Sequence, residues 1–381
     1  DVCSSDLDEI AKAIVEALRV ELGISEDQLV VGPVPVATEN LSAYDTFLKG
    51  RDTFHGRRQL EDVSASIELF EAVTTEDPNF ALGWQWLGAA YSVASGWGLH
   101  QTLPRDYPSL ARQAAERALE LDPNLAFAHA VRGFSVVVEP GGDYIFAMEQ
   151  LERAMELEPG NVTIVHWYGI LLREMGYISQ SMEYFDRCEA LDPAFGNCME
   201  HRARTLMFLG RYEEALDEWN KLPGEFARVV PYEVFDAFAI AKAGQSYAAR
   251  VFLSESFKDQ PDFPAKSWVA VIQGAKDRSN LEGKKFERWL DDADKSPILR
   301  SSLQGQDFLM FMYLSIGAYE KVDTETLSLG PGNVKGIWMK DFAGFQKTPQ
   351  FKQIVRNMNF LPYWQRSEEH TSELQSPDHL V

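Results

Sequence analysis

A short phrase containing proline recurs four times in the first half of the chain. The phrases are EDPN, LDPN, LEPG and LDPA, and their prolines, Pro78, Pro123, Pro159 and Pro193, lie 45, 36 and 34 residues apart. Each phrase follows a stretch with helical periodicity, and proline cannot continue a helix. A repeat of about 34 residues that ends in proline is typical of a solenoid built from helical hairpins. Such a fold presents an extended surface and not an enclosed reaction site, so the repeat predicts a binding protein.

Aromatic, glycine and alanine positions in the second repeat have the spacing of a tetratricopeptide repeat. They are Trp84, Leu87, Gly88 and Tyr91 in the first helix, and Ala111, Ala118 and Pro123 in the second. We expect the small residues to let paired helices approach closely and the large ones to fill the groove between hairpins. The prediction is an all-α superhelical tetratricopeptide-repeat solenoid of about six to seven hairpins. Tetratricopeptide repeats are predicted over residues 41–260 and degenerate helical repeats over 261–328. A helical carboxy-terminal cap over 329–365 is predicted to cover the exposed end of the stack.

The two ends of the chain do not resemble natural protein. Residues 366–372, RSEEHTS, can be encoded by AGATCGGAAGAGCACACGTCT, and the opposite strand of that DNA, read from its second base, encodes DVCSSDL, the sequence of residues 1–7. Both ends resemble a translated sequencing adapter, so residues 1–7 and 366–381 are excluded from the fold prediction. Residues 8–22 have helical periodicity and are predicted to form a helix from an upstream domain, followed by a linker over residues 23–40.

The composition limits the classes of partner. The formal net charge is −22 at pH 7, and 45% of the residues are hydrophobic, as in a packed globular chain. An acidic surface repels phosphate backbones and anionic lipids, so we predict no nucleic-acid binding by this segment. The sequence has no apolar run of about 18 residues to span a bilayer. Membrane association is therefore expected only through a region upstream.

The sequence lacks the usual motifs of catalytic, cofactor or metal sites. The histidines between the adapter-like ends are His55, His100, His129, His166 and His201, and none forms an HExxH pair. The stretch GPGNVKG at residues 330–336 lacks the GxGxxG spacing and follows no predicted strand, and GGD at residues 141–143 fits a turn inside the third repeat. We therefore predict a non-enzymatic segment with no cofactor and no metal.

Two cysteines face each other in the predicted stack. Cys188 falls late in the second helix of the fourth repeat, and Cys198 starts the first helix of the fifth. Their Cα atoms are expected within the range of about 4.4–6.8 Å that a disulfide needs. The alternative is two small buried residues in the seam between repeats.

The inner face of the solenoid is the predicted partner-binding surface, because first helices line the concave groove. The side chains expected to point inward are Gln85, Phe127, Phe134, His166, Ile170, Arg173 and Arg204. His166, Arg173 and Arg204 would form a cationic and aromatic patch that suits an acidic group or free carboxylate of an extended peptide. The alternative is that some of these side chains are ion-paired to neighbouring repeats.

Three stretches resemble a family of bacterial multidomain regulators. They are DEIAKAIVEALRVEL at residues 8–22, NLSAYDTFLKGRDTF at 40–54 with the repeat that follows it, and TPQFKQIVRNMNFLPYW at 348–364. In this family a TolB-like domain precedes tetratricopeptide repeats. The effector lies further upstream and is a class III nucleotide cyclase, a winged-helix DNA-binding domain or a kinase.

The resemblance implies a regulatory module that binds a peptide or protein in its groove and modulates an upstream effector. The alternatives are the regulatory part of an adenylate cyclase, the sensor part of a membrane-bound winged-helix transcription regulator, and a free-standing adaptor. If a membrane span lies upstream, as the resemblance implies, this region is expected on the periplasmic side, where a disulfide between Cys188 and Cys198 would persist.

Overall fold

The structure is a computed structural model, and its contacts divide the chain into a unit over residues 1–39 and a unit over residues 40–381. The predicted adapter-like ends, the upstream helix and most of the linker lie outside the described residues. The structure describes residues 38–57, 59–96, 99, 103–137, 143–222, 233–256, 264–273, 281–295, 303–322, 336–358, 360 and 364.

The second unit is all-α over its described residues, as the repeat predicts. Its helices are α1 (Leu41–His55), α2 (Leu60–Glu76), α3 (Ala81–Gly96), α4 (Tyr107–Leu121), α5 (Ala126–Val137), α6 (Tyr144–Leu157), α7 (Val162–Glu174), α8 (Ile178–Leu191), α9 (Gly196–Phe208), α10 (Tyr212–Lys221), α11 (Glu233–Lys242), α12 (Ser246–Ser256), α13 (Ala265–Gln273), α14 (Leu281–Ala293), α15 (Leu303–Ile316) and α16 (Pro349–Asn357). Short 3-10 helices cover Tyr319–Lys321, Lys340–Phe342 and Phe345–Lys347. None of the described helices is both long and apolar enough to cross a bilayer.

Consecutive helices pair into hairpins, from α1 with α2 to α13 with α14, which gives seven hairpins in the described part of the chain. Each hairpin packs on the next through its second helix and the following first helix. First helices also contact the first helices of adjacent hairpins, as α3 does with α5 and α5 with α7, more extensively than second helices contact one another. The first helices therefore form the inner layer of the stack.

The recurring acidic residue before proline ends the second helices. In three hairpins an aspartate stands at the C-cap, and its Oδ1 accepts a hydrogen bond from the backbone N–H two residues later, at 3.0 Å for Asp77, 2.9 Å for Asp122 and 2.9 Å for Asp192. A short aspartate side chain stabilises a turn in this way, and the proline between the two bonded residues offers no N–H to extend the helix. The phrase seen in the sequence is thus the connection between hairpins.

Glycine ends the first helix in the later hairpins. Gly176 has a φ of +89° and Gly210 a φ of +75°, a left-handed conformation that disfavours residues with a Cβ. Tyr177 N–H donates to the Leu172 carbonyl at 2.9 Å, and Gly176 N–H donates to the Arg173 carbonyl at 3.1 Å. This pair of bonds is the Schellman arrangement that caps a helix C-terminus.

Gly88 permits the close helix approach that the sequence predicts. A Cβ on Gly88 would lie 2.9 Å from the side chain of Val131 and 3.1 Å from the carbonyl oxygen of Ala111.

His129 occupies the position in the third repeat that Trp84 holds in the second. The Trp84 indole donates to the Pro78 carbonyl at 3.0 Å, and His129 Nε2 makes the corresponding contact with the Pro123 carbonyl in the next turn, also at 3.0 Å.

The carboxy-terminal segment lies along the inter-helix turns of the middle hairpins. We call its described residues, 336–358, 360 and 364, the C-terminal strap. Its Trp338 Nε1 donates to the Glu174 carbonyl at 3.0 Å, and its Trp364 Nε1 donates to the Met175 carbonyl at 3.2 Å. Both acceptors are carbonyls at the end of α7, where the helix itself supplies no further donors.

The strap also contacts helices that follow the fourth hairpin. Asp341 accepts a hydrogen bond from Tyr212 and forms an ion pair with Lys242. The Phe342 ring packs on Phe238 at 6.0 Å and on Phe311 at 5.8 Å between centroids. The predicted placement of this segment over the end of the stack is therefore wrong in part, because the strap contacts the last helices but also runs back across hairpins four to six.

Candidate functional site

A row of aromatic rings crosses the inner layer of first helices. We call it the aromatic row, and it joins α1, α3, α5 and α7. The centroid distances are 5.5 Å from Phe54 to Trp86, 5.5 Å from Trp86 to Phe127, 5.2 Å from Phe127 to Trp167 and 4.5 Å from Trp167 to Phe134. Contacts of this length stabilise aromatic pairs beyond the burial of their surface. The row fixes the spacing of four successive hairpins.

The seven predicted partner-binding residues lie on the first helices α3, α5, α7 and α9, but they differ in exposure. The buried ones are Gln85, Phe127, His166 and Arg173. The half-buried ones, which present surface in this structure, are Phe134, Ile170 and Arg204. Three of the seven therefore present surface in this structure, and the binding role of all seven stays a prediction.

Arg173 is paired with its own neighbour in sequence. Its Nη2 lies 3.2 Å from Glu174 Oε1, with the two side chains only 4% and 6% exposed. The guanidinium also lies 5.8 Å from the centroid of Phe185 and 5.7 Å from that of Phe208. Aromatic faces attract such a cation, so Arg173 is held between a carboxylate and two rings.

Arg204 is also ion-paired, with Glu200 one turn earlier on α9. Glu200 lies 3.4 Å from His201 Nε2 as well. The charges of Arg173 and Arg204 are thus balanced by Glu174 and Glu200. Both arginines are ion-paired to carboxylates of their own helices, where the alternative expected partners in neighbouring repeats, and the role of the patch in binding stays a prediction.

His166 adds no positive charge at neutral pH. Burial, followed by the charges of Arg173 and Arg57, lowers the pKa of His166 to about 3. Its ring packs against His201 at 4.7 Å and edge-on against Phe195 at 5.6 Å. The side chain is 6% exposed, so the imidazole is a neutral group inside the inner layer.

Sequence reasoning missed two tryptophans of the aromatic row. Trp86 and Trp167 each stand two residues before the repeat glycine, at Gly88 and Gly169, so this shared position was the available signal. Trp86 is half-buried and Arg51 lies 5.3 Å over its ring. This exposed arginine and partly exposed indole give the inner layer a polar and aromatic surface near its first hairpin.

The two cysteines meet in the seam between the fourth and fifth hairpins. Cys188 and Cys198 are placed as a disulfide, with Cα atoms 5.8 Å apart, and both are fully buried beside Val165. The separation fits the geometric range that a disulfide requires. The oxidised state itself stays a prediction, because it depends on the compartment.

No group of three or more histidine, cysteine, aspartate or glutamate side chains is placed to hold a metal ion in the part of the chain that the structure describes. The inner layer presents aromatic rings, a few half-buried apolar side chains and paired charges.

Comparison with known proteins identifies the repeat. The model of the tetratricopeptide repeat family matches residues 162–195, which hold α7, α8 and the turn that follows. No curated protein sequence matches the chain.

Solved structures with some similarity include two that are described as TPR proteins. TTC0263, a thermophilic TPR protein in Thermus thermophilus, is 16% identical, with a TM-score of 0.40 over 56% of this chain and 98% of that one. PilW, a widely conserved type IV pilus biogenesis factor, is 17% identical, with a TM-score of 0.41 over 60% of this chain and 99% of that one. YrrB, a TPR protein with an unusual peptide-binding site, is 18% identical, with a TM-score of 0.33 over 52% and 95%.

The hairpin geometry and the family match together define the class. The described residues form a tetratricopeptide-repeat solenoid, and this fold is a non-enzymatic scaffold for contacts with proteins and peptides.

Proposed function

We propose that this chain is the interaction module of a bacterial signalling protein, which binds a peptide or protein segment along its inner layer and thereby modulates an effector upstream. The observation that carries the proposal is the aromatic row, together with the half-buried side chains beside it. Phe134 and Ile170 present apolar surface on adjacent first helices, and Trp86 lies further along the same layer. Aromatic and apolar anchors of this kind supply most of the energy of protein interfaces.

The strap supports the regulatory part of the proposal. Trp338 and Trp364 bond to the end of α7, and α7 also carries Ile170 and Arg173. A ligand on α7 would therefore act on a helix whose end is fixed by a distant segment. Modulation of an upstream nucleotide cyclase or winged-helix domain is the form of regulation that the family resemblance implies.

A peptide-display selection on the purified chain tests the binding surface. Selected peptides would be measured by calorimetry against the wild type, Ile170→Glu and Leu191→Glu. Ile170 is half-buried on the inner helix α7, whereas Leu191 is 42% exposed on α8 of the same hairpin. We expect Ile170→Glu to weaken binding about tenfold or more, because a charge in an apolar contact is poorly solvated, and Leu191→Glu to leave it unchanged.

Weaker binding by Leu191→Glu, with unchanged binding by Ile170→Glu, would place the binding surface on the second helices and contradict the proposal. A separate assay addresses the enzymatic alternative: turnover of ATP or GTP by the purified chain would contradict a non-catalytic module.

A further inference from the structure

The second hairpin contains an insertion between its two helices. The connection from α3 to α4 covers residues 97–106, whereas the corresponding turn of the fourth hairpin covers only residues 175–177. The insertion accounts for the spacing of 45 residues between Pro78 and Pro123, against 36 and 34 for the later prolines. An insertion into one repeat of a solenoid forms a loop, and loops on a rigid scaffold frequently carry binding residues.

Arg105 fixes the end of this insertion to the first hairpin. Its Nη2 lies 2.8 Å from Glu71 Oε1 on α2 and 3.1 Å from the Tyr91 hydroxyl on α3. The guanidinium also lies 5.2 Å from the centroid of the Tyr91 ring, a distance at which the face of the ring attracts a cation. Arg105 therefore holds the loop against α2, and Glu71 balances its charge.

A cleft of about 270 Å³ lies between the loop and α2. Small-molecule sites usually have volumes of about 300–1,000 Å³, so this cleft suits a single side chain better than a whole cofactor or metabolite. Besides Arg105, the lining residues that bear on binding are Ile67, Glu68, Glu71, Leu103, Pro104 and Tyr107. They belong to two second helices and the insertion, so the cleft lies outside the inner layer of first helices.

One side of the cleft is apolar. Ile67 and Tyr107 are buried, whereas Leu103 of the insertion is 45% exposed. An exposed leucine beside buried apolar side chains leaves apolar surface in the cleft that an aliphatic chain can cover. The long stem of a basic side chain covers such surface while its charged end stays in contact with water or a carboxylate.

The charge at the cleft is negative. Glu68 is exposed and forms no ion pair within the described ranges. The side-chain hydrogen bonds from Tyr91 and Arg105 both end on Oε1 of Glu71, so Oε2 remains an acceptor. The helix α2 carries five carboxylates and no basic residue. Two carboxylates against the single guanidinium of Arg105 leave one negative charge uncompensated among the described lining residues.

We propose that this cleft receives the side chain of an arginine from a partner protein, with its stem on Ile67 and Leu103 and its guanidinium on Glu68 and Oε2 of Glu71. The planar fork of a guanidinium hydrogen-bonds well to carboxylates. It is also more weakly hydrated than the ammonium of lysine, so it loses less in a cleft that is partly shielded from water. Because the cleft lies outside the inner layer, binding here is independent of the peptide-binding mode proposed above.

Methyl NMR on the full chain tests the site, with the Ile67 methyl as the reporter in the cleft and the Ile170 methyl as the reporter on the inner layer. The probe is the peptide acetyl-Ala-Arg-Ala-amide. Its control carries citrulline, which keeps the stem and shape of arginine but has no charge. We expect the arginine peptide to shift the Ile67 signal in a saturable way with little effect on Ile170, and the citrulline peptide to shift neither.

Glu68→Gln and Glu183→Gln are a matched pair of variants. Glu68 and Glu183 each stand ten residues before a repeat proline, Pro78 and Pro193, and both are exposed on second helices. The hairpin that follows Glu183 has only a short turn, at residues 209–211, and no insertion. We expect Glu68→Gln to weaken binding of the arginine peptide several-fold, because it removes a charge that contacts the guanidinium, and Glu183→Gln to leave it unchanged.

Leu103→Ala tests the apolar side of the cleft without a change of charge. We expect it to weaken binding of the arginine peptide as well, because the stem loses part of its contact surface. Equal shifts of the Ile67 and Ile170 signals, or equal effects of Glu68→Gln and Glu183→Gln, would indicate general attraction of a cation to an acidic chain and overturn the site. Equal binding of the citrulline peptide, or no saturable shift of Ile67, would also overturn it.

Discussion

The indole of Trp338 donates a hydrogen bond to the backbone carbonyl of Glu174 at 3.0 Å, across 164 positions of the chain. The acceptor is the last residue of α7, and its side chain holds Arg173. Trp338 of the strap therefore supplies a hydrogen-bond donor to the last carbonyl of α7, the helix that carries His166, Ile170 and Arg173. The strap and the candidate binding surface are parts of one packing unit.

Trp338→Phe tests this bond. Phenylalanine keeps an aromatic ring next to Phe351 and Trp364 but leaves the Glu174 carbonyl without its donor. We expect a loss of about 1–3 kcal/mol in the free energy of unfolding, the usual effect of an unpaired buried group, measured as a lower urea midpoint. Trp84→Phe is the control, because its bond to the Pro78 carbonyl is exposed. Equal effects of the two substitutions would contradict a special role for the strap.

Gly176→Ala tests the turn beneath the strap. Alanine would be strained at a φ of +89°, and its Cβ would lie 3.1 Å from the Trp338 ring. We expect a loss of at least about 1–2 kcal/mol from the left-handed backbone alone, seen as a lower urea midpoint. Gly244→Ala has a φ of +83° but no atom within 4 Å of the added Cβ, so the difference between the two isolates the ring contact.

Gly160→Ala is the matched neutral change for this series. It has open space around the added Cβ and no left-handed backbone. We expect it to leave stability unchanged or to raise it by up to about 1 kcal/mol through the unfolded state. A Gly176→Ala variant as stable as Gly160→Ala would show that the turn and the Trp338 contact are not as described.

The repeat period explains how much of the fold was predictable. Gly176, Gly210 and Gly244 all have positive φ at the same point of successive hairpins, and Gly317 has positive φ just after α15, so one local requirement recurs along the sequence. The aspartate–proline turns also repeat one local requirement, because the same aspartate hydrogen bond recurs at the ends of second helices. The strap has no such signal, because its contacts are made once and connect positions far apart in the sequence.

The candidate site was less predictable for a related reason. Arg204 and Glu200 are four residues apart on a helix, a spacing that brings side chains together, so this ion pair could have been inferred. Arg173 and Glu174 are adjacent, and adjacent residues do not normally face each other on a helix. Glu174 stands at the last helical position before the capping turn, where the strap packs, and this tertiary setting cannot be read from one repeat.

His166 gives a prediction for the dependence of stability on pH. Its folded pKa of about 3 lies below the ordinary value of 6.5, because burial and then Arg173 and Arg57 disfavour the charged ring. The unfolded chain therefore takes up a proton first as pH falls. The stability due to neutral His166 is full above about pH 6.5 and decreases below it, at up to about 1.4 kcal/mol per pH unit.

Imidazole nitrogen shifts measured by NMR check this directly. The His166 ring should stay neutral down to about pH 5, and His166→Gln should make the free energy of unfolding less dependent on pH between about 5 and 6.5. A His166 ring that titrates near its ordinary value would contradict its burial among these groups.

The cysteine pair gives a prediction about compartment. If Cys188 and Cys198 are bonded in the exported protein, periplasmic expression should yield a chain two hydrogen atoms lighter than cytoplasmic expression, by intact mass. Reduction should then lower the urea midpoint, because closing a short loop of this kind stabilises by roughly 2–3 kcal/mol. Free thiols at Cys188 and Cys198 in periplasmic material would contradict the predicted disulfide. The double variant Cys188→Ala with Cys198→Ala is the control, and its urea midpoint should not change with reductant.

The central claim is that ligands bind the inner layer of first helices. Hydrogen–deuterium exchange of the full chain, with and without a selected peptide, tests it most directly. We predict increased protection in α3, α5, α7 and α9, with little change in α4, α6 and α8. Protection confined to the second helices, with the inner layer unchanged, would contradict the account.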